Sequence, residues 1–216
     1  MTEIKVLQDI LSANDRIADR NRRLLDEKGV FAVNLMASPG AGKTSLLLET
    51  IDRLKGKLGI AVIEADIASS LDADRIGSEG ITTIQINTGG DCHVDANMLN
   101  NALESMALEG IDLLILENVG NLVCPAEFKL GVDRSVMISS VPEGDDKPYK
   151  YPLMFSIANA VLINKTDLVP YVEFDFRNFS RGVGVVNPKA ALIQISCKTG
   201  EGIDDWVSWL LGEMGK

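Results

Sequence analysis

The sequence predicts an α/β fold with a doubly wound, mainly parallel sheet, and three observations carry that expectation. Apolar runs of strand length alternate with amphipathic helical segments along most of the chain. A glycine-rich loop, Ala37-Ser38-Pro39-Gly40-Ala41-Gly42-Lys43-Thr44, lies between the apolar run Phe31 to Met36 and the helical start Ser45-Leu46-Leu47-Leu48; this is the strand, loop and helix context of a P-loop nucleotide hydrolase. Two late apolar runs, Ala160 to Ile163 and Ala191 to Ile195, end in Asn164-Lys165-Thr166-Asp167 and Ser196-Cys197-Lys198, at strand ends where such a sheet presents its ligands.

In chain order, Ile4 to Glu27 sets Val6, Leu7, Ile10, Leu11, Ile17, Leu24 and Leu25 at helical spacing among many charges. A helical segment over residues 1–30 is therefore expected to pack on a nucleotide-hydrolase domain spanning 31–216. Strands are expected at Ala32 to Met36, Ile60 to Ala65, Thr82 to Ile86, Asp112 to Leu116, Val136 to Val141, Ala160 to Ile163 and Leu192 to Ile195. Helices are expected to include Lys43 to Leu54, Asp95 to Leu108 and Ile203 to Met214. The polar stretch Pro142 to Tyr151 reads as an exposed functional loop.

A chain of 216 residues, 46% hydrophobic and 24% charged, suits one globular unit with a sizeable core. No apolar run approaches the roughly 20 residues that span a bilayer, and Met1-Thr2-Glu3-Ile4-Lys5 has no signal-peptide character, so a cytoplasmic location with no membrane partner is expected. The net charge of -10 opposes a broad nucleic-acid surface. Three cysteines outside any secretory context read as reduced thiols or metal ligands.

The phosphate loop sets the chemistry. In the loop Pro39 to Ser45, backbone N–H groups from Gly40 onward that converge on one anion, with the charge of Lys43, suit a nucleotide triphosphate, and the Thr44 hydroxyl can hold magnesium between its phosphates. Ala37 stands where glycine is usual, which is harmless if that residue is extended. An aspartate at position 167 can accept hydrogen bonds from N1–H and the exocyclic amine of guanine, a donor pair that adenine lacks, so GTP and GDP are favoured. Without the phosphate loop the same segment would pass for an ordinary surface turn. The segment Glu117-Asn118-Val119-Gly120 ends another strand; there the Gly120 amide can reach a γ-phosphate and Glu117 can bind magnesium through water. Asp66 and Asp72 can contact the metal or orient water, or serve only as caps and turn formers. No glutamine stands ready to position water, so turnover should be slow, as befits a timer.

A second chemistry is suggested by Gly90-Asp91-Cys92-His93-Val94-Asp95-Ala96 with Asn121-Leu122-Val123-Cys124-Pro125. Thiolate and imidazole donors suit zinc or nickel, and the loops bearing Cys92, His93 and Cys124 each follow an expected strand, so they can converge at one edge of the sheet. Three ligands leave a position for water or for a second copy of the chain across a dimer axis. Spacing alone leaves open that the cysteines are simply buried.

Together these segments, with Asp66-Ile67-Ala68-Ser69-Ser70-Leu71-Asp72-Ala73 and Asp146-Lys147-Pro148-Tyr149-Lys150-Tyr151-Pro152, resemble the HypB family, nickel-incorporation GTPases of nickel–iron hydrogenase maturation, within the SIMIBI class of P-loop GTPases. The resemblance covers nearly the whole chain. It implies a GTP-dependent homodimer, a regulatory zinc or nickel site at Cys92, His93 and Cys124, and nickel delivery with a small metallochaperone to the hydrogenase large subunit. Met1 to Val30 holds neither Cys nor His, so the nickel-storing N-terminal motifs of some members are absent there. Ser38 occupies the place where relatives in the wider class often carry an extra lysine; Lys147 or Lys150 is expected to approach nucleotide or the opposing subunit instead, or else to belong to a solvated basic loop. An accessory GTPase of the urease or cobalamin-enzyme type, or a non-enzymatic metal-binding module, is the competing expectation.

Overall fold

The protein is described from a computed structural model covering residues 6–66 and 81–216. After helix α1 (Val6–Lys28), strand β1 (Phe31–Ala37) leads through the phosphate loop into α2 (Lys43–Leu54). Strands β2 (Ile60–Asp66) and β3 (Thr82–Asn87) precede α3 (Ala96–Ser105), followed by β4 (Leu113–Glu117) and β5 (Arg134–Ser140). Two short helices, α4 (Lys147–Lys150) and α5 (Pro152–Ser156), come before β6 (Ala160–Asn164); α6 (Phe176–Val186), β7 (Ala191–Gln194) and α7 (Ile203–Glu213) complete the chain.

The sheet has the order β3-β2-β4-β1-β5-β6-β7. Every pairing between neighbours is parallel. The expected "mainly parallel" sheet is thus wholly parallel among the described residues, and all its strands end at one edge. Runs such as Leu113–Glu117 and Ala160–Asn164 are buried along their whole length because helices cover both faces. Val33, Leu35 and Ala37 point to the face covered by α2 and α7, where Leu46, Ile51, Trp206 and Leu210 pack. Ala32 faces the opposite layer with Leu25 of α1 and Leu99 of α3, and Met36 on that same side meets Phe155 of α5 and Phe179 of α6.

Two expectations change. Residues 142–151 are not an open loop: Val141–Glu143 forms a 3-10 turn, Lys147–Lys150 a short helix, and Pro148 is buried. The helix expected at Asp95 to Leu108 ends at Ser105, with Asp95 outside it as the cap whose carboxylate accepts from the Met98 amide at 2.7 Å.

After α6, Asn187 ties the end of that helix to the turn that follows α5: its Nδ2 lies within hydrogen-bond distance of Phe155 O (3.0 Å), Ser156 O (3.2 Å) and Ala158 O (2.7 Å). Asn187→Ala is expected to lower stability by about 0.5–1.5 kcal/mol, the net contribution of an ordinary part-buried hydrogen bond, read as a lower urea midpoint with unchanged slope.

Candidate functional site

The phosphate loop is built by local backbone necessity. Ala37 is the last residue of β1 and pairs in register with Ile138, so it is extended and tolerates the side chain that replaces glycine. Gly40 and Gly42 have φ of +77° and +106°, and Gly42 is the residue at the N-terminus of α2. A Cβ on Gly42 would lie 2.3 Å from Asn164 Nδ2, so glycine is required by conformation and by space. The helix amides beyond it face a cavity of about 590 Å³ lined by Pro39, Gly40, Lys43, Thr44, Ser45, Glu117 and Gly120. That arrangement fits a phosphate chain.

Several strand ends close on this loop. Thr44 Oγ1 donates to Glu117 Oε1 at 2.8 Å, bringing together the hydroxyl and one carboxylate expected around magnesium. Gly120 lies against the loop so closely that a Cβ would meet the Pro39 backbone at 3.1 Å. Ser38, at the position of the extra lysine, donates its hydroxyl to Glu143, whose other oxygen accepts from Ser140 at 2.7 Å; the loop is tied to the end of β5. Lys147 lies with its ammonium 5.6 Å from the Tyr151 ring, and Lys150 pairs with Asp146 at 2.5 Å. Asp66 closes β2, and Asp72 lies outside the described residues.

Glu64 escaped the sequence reading. It is only 3% exposed, pairs in register with Glu117 across β2 and β4, and lines the same cavity. Its signal was available: an acidic residue inside an otherwise apolar buried strand is costly unless it faces a polar site.

A second cavity, about 350 Å³, adjoins the first and is lined by Asn164, Lys165, Asp167, Cys197 and Lys198. Asn164 is its keystone: Nδ2 donates to Ala41 O at 2.9 Å, while Oδ1 accepts from Lys165 N at 2.7 Å and Cys197 N at 3.2 Å. Lys165 takes the left-handed conformation, φ 64°, and its ammonium reaches Gly40 O at 2.6 Å. Ser196 is fully buried and lies behind the cavity, donating to Asp167 Oδ1 at 2.7 Å; it orients the aspartate from behind. Burial, then the nearby Glu49 carboxylate, raises the Cys197 thiol to about 11, so that thiol is neutral at physiological pH.

The metal candidates also meet. Although β2 separates β3 from β4, the loops leaving their ends bring Cys92 Sγ to 2.8 Å from Cys124 Sγ and 3.8 Å from His93 Nδ1, and the three ligand atoms lie within 4.8 Å of one another. Two sulfurs and an imidazole this close fit a borderline-soft divalent ion such as nickel or zinc. The His93 ring stacks on Phe128 with centroids 4.0 Å apart, which fixes its plane. The Cys92 thiol is raised, first by its hydrogen bond with Cys124, then by burial and by the neighbouring sulfur's charge, so ion binding must expel protons.

Residues 31–194 match the family model described as CobW/HypB/UreG, nucleotide-binding domain. The chain is 49% identical over 207 residues to the hydrogenase maturation factor HypB of Rhizobium leguminosarum bv. viciae, covering 96% of this chain and 69% of that protein. It superposes on the crystal structure of hydrogenase maturation factor HypB from Archaeoglobus fulgidus with a TM-score of 0.89 and 39% identity, covering 94% of this chain and 100% of that one. It also superposes on HypB from Helicobacter pylori in complex with nickel, with a TM-score of 0.89, 37% identity, and 94% and 95% coverage. No helix among the described residues is long and apolar enough to cross a membrane.

Proposed function

Because the chain belongs to the CobW/HypB/UreG nucleotide-binding family, and within it to the HypB hydrogenase maturation factors, we propose that it is a GTPase metallochaperone whose nucleotide state regulates dimerisation and nickel delivery to a hydrogenase. The observation that carries this reading is the adjacency of the two sites: Gly120, packed on the phosphate loop, and Cys124, in contact with Cys92, are four residues apart on one segment.

GTP binds with its phosphates in the loop Pro39 to Ser45, on the amides of Gly40 to Ser45 and on Lys43, while the guanine edge reaches Asp167. Thr44, Glu117 and Asp66 are the residues that would hold magnesium, with Asp72 as a further candidate; when bound, the ion supplies neutralisation of charge on the β- and γ-phosphates. The Glu117 carboxylate is buried and already accepts from Thr44, so both groups are oriented before nucleotide arrives. Contact of the γ-phosphate with the Gly120 amide repositions the segment that follows. Nickel is the cargo, taken by Cys92, His93 and Cys124, and a second copy of the chain can complete its coordination in a homodimer. Zinc suits the same donors. The shared nucleotide chemistry of urease and cobalamin accessory GTPases does not call for this separated Cys-His and Cys pair.

Linkage requires that whatever nucleotide does to nickel affinity, nickel does to nucleotide affinity. Equilibrium nickel titrations with GDP and with a non-hydrolysable GTP analogue, read alongside molecular mass, are expected to give different dissociation constants and different dimer fractions. Equal constants and equal masses would remove the regulatory reading.

Base selection has its own test. Asp167→Asn turns one acceptor into a donor facing the donors of guanine, and GTP affinity should fall roughly 10- to 100-fold, equivalent to about 1–3 kcal/mol for an unmatched polar group. Xanthosine triphosphate, which offers a carbonyl in place of the amine, should gain relative to GTP in a competition assay.

A further inference from the structure

Four asparagines that the proposed mechanism leaves unused lie beneath the metal loops: Asn14, Asn21, Asn34 and Asn118 are 7%, 0%, 3% and 0% exposed. Buried amides are retained where their hydrogen bonds are needed, because an unpaired polar group in the interior is costly. Asn118 follows Glu117. Its Oδ1 accepts from Val94 N, the residue after His93, at 3.1 Å, and from Val119 N at 2.9 Å; its Nδ2 donates to Asn34 Oδ1 on β1 at 3.1 Å. Asn14 and Asn21 stand two helical turns apart on one face of α1. Asn14 accepts from Ala96 N at 2.8 Å and donates to Lys129 O at 2.8 Å, while Asn21 donates to Ala96 O at 2.9 Å and Leu130 O at 3.1 Å. Asn21 keeps this geometry although its Oδ1 has no partner among the described residues.

These bonds hold one half of the metal site and leave the other half between anchors. Val94 and Ala96, directly beyond His93, are bound to the sheet and to α1. The chain bearing Cys124 is fixed before it, where Asn118 N donates to Leu35 O at 3.0 Å, and after it, at Lys129 and Leu130. Between those anchors the hydrogen bonds of residues 121–127 are local among the described residues apart from the sulfur contact: Asn121 Oδ1 takes Val123 N and Cys124 N, Val123 O takes Ala126 N, and Cys124 O takes Glu127 N. Leu122 and Pro125 add apolar burial, which is not directional and permits sliding.

We propose that Asn14, Asn21, Asn34 and Asn118 form an anchoring frame that keeps the His93 side of the site stationary, so that a displacement begun at Gly120 shifts Cys124 relative to the other two ligands and changes metal affinity. The physical requirement is differential motion. If both loops followed Gly120 together, the donors would keep their mutual geometry and nucleotide would have no differential effect on the ion. The four asparagines are positioning residues, and the inference rests on the nucleotide-to-metal coupling proposed above.

The test uses the full chain, nickel ions against a chromophoric chelator, and the GDP and GTP-analogue states. In the parent protein the ratio of the two dissociation constants is expected to fall within roughly 5- to 150-fold, the usual range of coupling, and in Asn21→Ala and Asn118→Ala to approach about one while nickel is still bound. A parent ratio of one overturns the coupling itself. A parental ratio retained in both variants, or nickel binding lost outright in both states, overturns the frame alone. Should neither variant fold, amide exchange in the parent decides: Val94 is expected to be equally protected in both nucleotide states while residues 121–124 change, and loss of Val94 protection in the GTP-analogue state overturns the proposal.

Discussion

Replacing Cys124 by alanine is expected to weaken nickel binding by more than about 100-fold, since groups that merely support a metal ligand already contribute roughly 10- to 100-fold. The magnitude follows from geometry. Cys124 is one of three donors that converge, and its sulfur is the one brought from a different loop, so its loss leaves the adjacent pair Cys92 and His93, which cannot enclose an ion. The fold should be untouched, because the side chain is half-buried at a turn that the Asn121 side-chain Oδ1 shapes by accepting from Val123 N. Titration monitored in the sulfur-to-metal charge-transfer band checks this, and an alanine variant with parental affinity would exclude Cys124 as a ligand. The same titration should show a pH dependence with a definite sign. The Cys92 thiol is raised by Cys124, so it is protonated at neutral pH and the ion must displace the proton. Affinity should rise with pH, by about tenfold per unit for each proton released, and weaken as pH falls.

Lys43→Ala is expected to lower GTP turnover by about 10²- to 10³-fold, comparable with removing one preorganised charge-stabilising donor from an active site. Lys43 begins α2 and lines the phosphate cavity; no other lysine lines that cavity among the described residues except Lys165, whose ammonium already bonds Gly40 O. Alanine is the best helix former, so α2 should persist and the circular dichroism should be unchanged. Nickel uptake in the nucleotide-free protein should also persist, and it is the Lys43-dependent turnover that separates a regulated GTPase from a module that only stores metal. Turnover within a few-fold of the parent would sink the assignment of this loop to the phosphates.

Much of this protein is legible from local pattern. The expected strand Ile60 to Ala65 differs from the observed one by a single residue, and Lys43 to Leu54 is reproduced at both ends, because buried parallel strands are continuous apolar runs and the phosphate loop marks where α2 must start. The segment 142–151 has the proline, glycine and charges of a loop, yet it folds into a 3-10 turn and a short helix. Only contact with α6 supplies the apolar partner: a Cβ on Gly182 would press on Pro148 and Tyr149 at 2.9 Å. Glu64 was overlooked for the opposite reason, an acidic residue hidden in a strand whose periodicity looked complete.

The candidate metal ligands divide the same way. Residue type and order along the chain made Cys92, His93 and Cys124 candidates, but β2 lies between the strands that feed their loops, and no spacing in the sequence determines whether those loops cross it to meet. The asparagines of α1 are further still from local inference. On a helix they read as polar surface, and their burial follows from hydrogen bonds to Ala96, Lys129 and Leu130, partners 75 to 115 residues away. The strands, the glycine-rich loop and the Asn164 to Asp167 segment are recognisable from residue type and short-range order, although partners such as Ala41 for Asn164 lie far along the chain. Which loops touch, and which remain able to move, depends on contacts whose energies exist only after the sheet has brought distant segments to one edge.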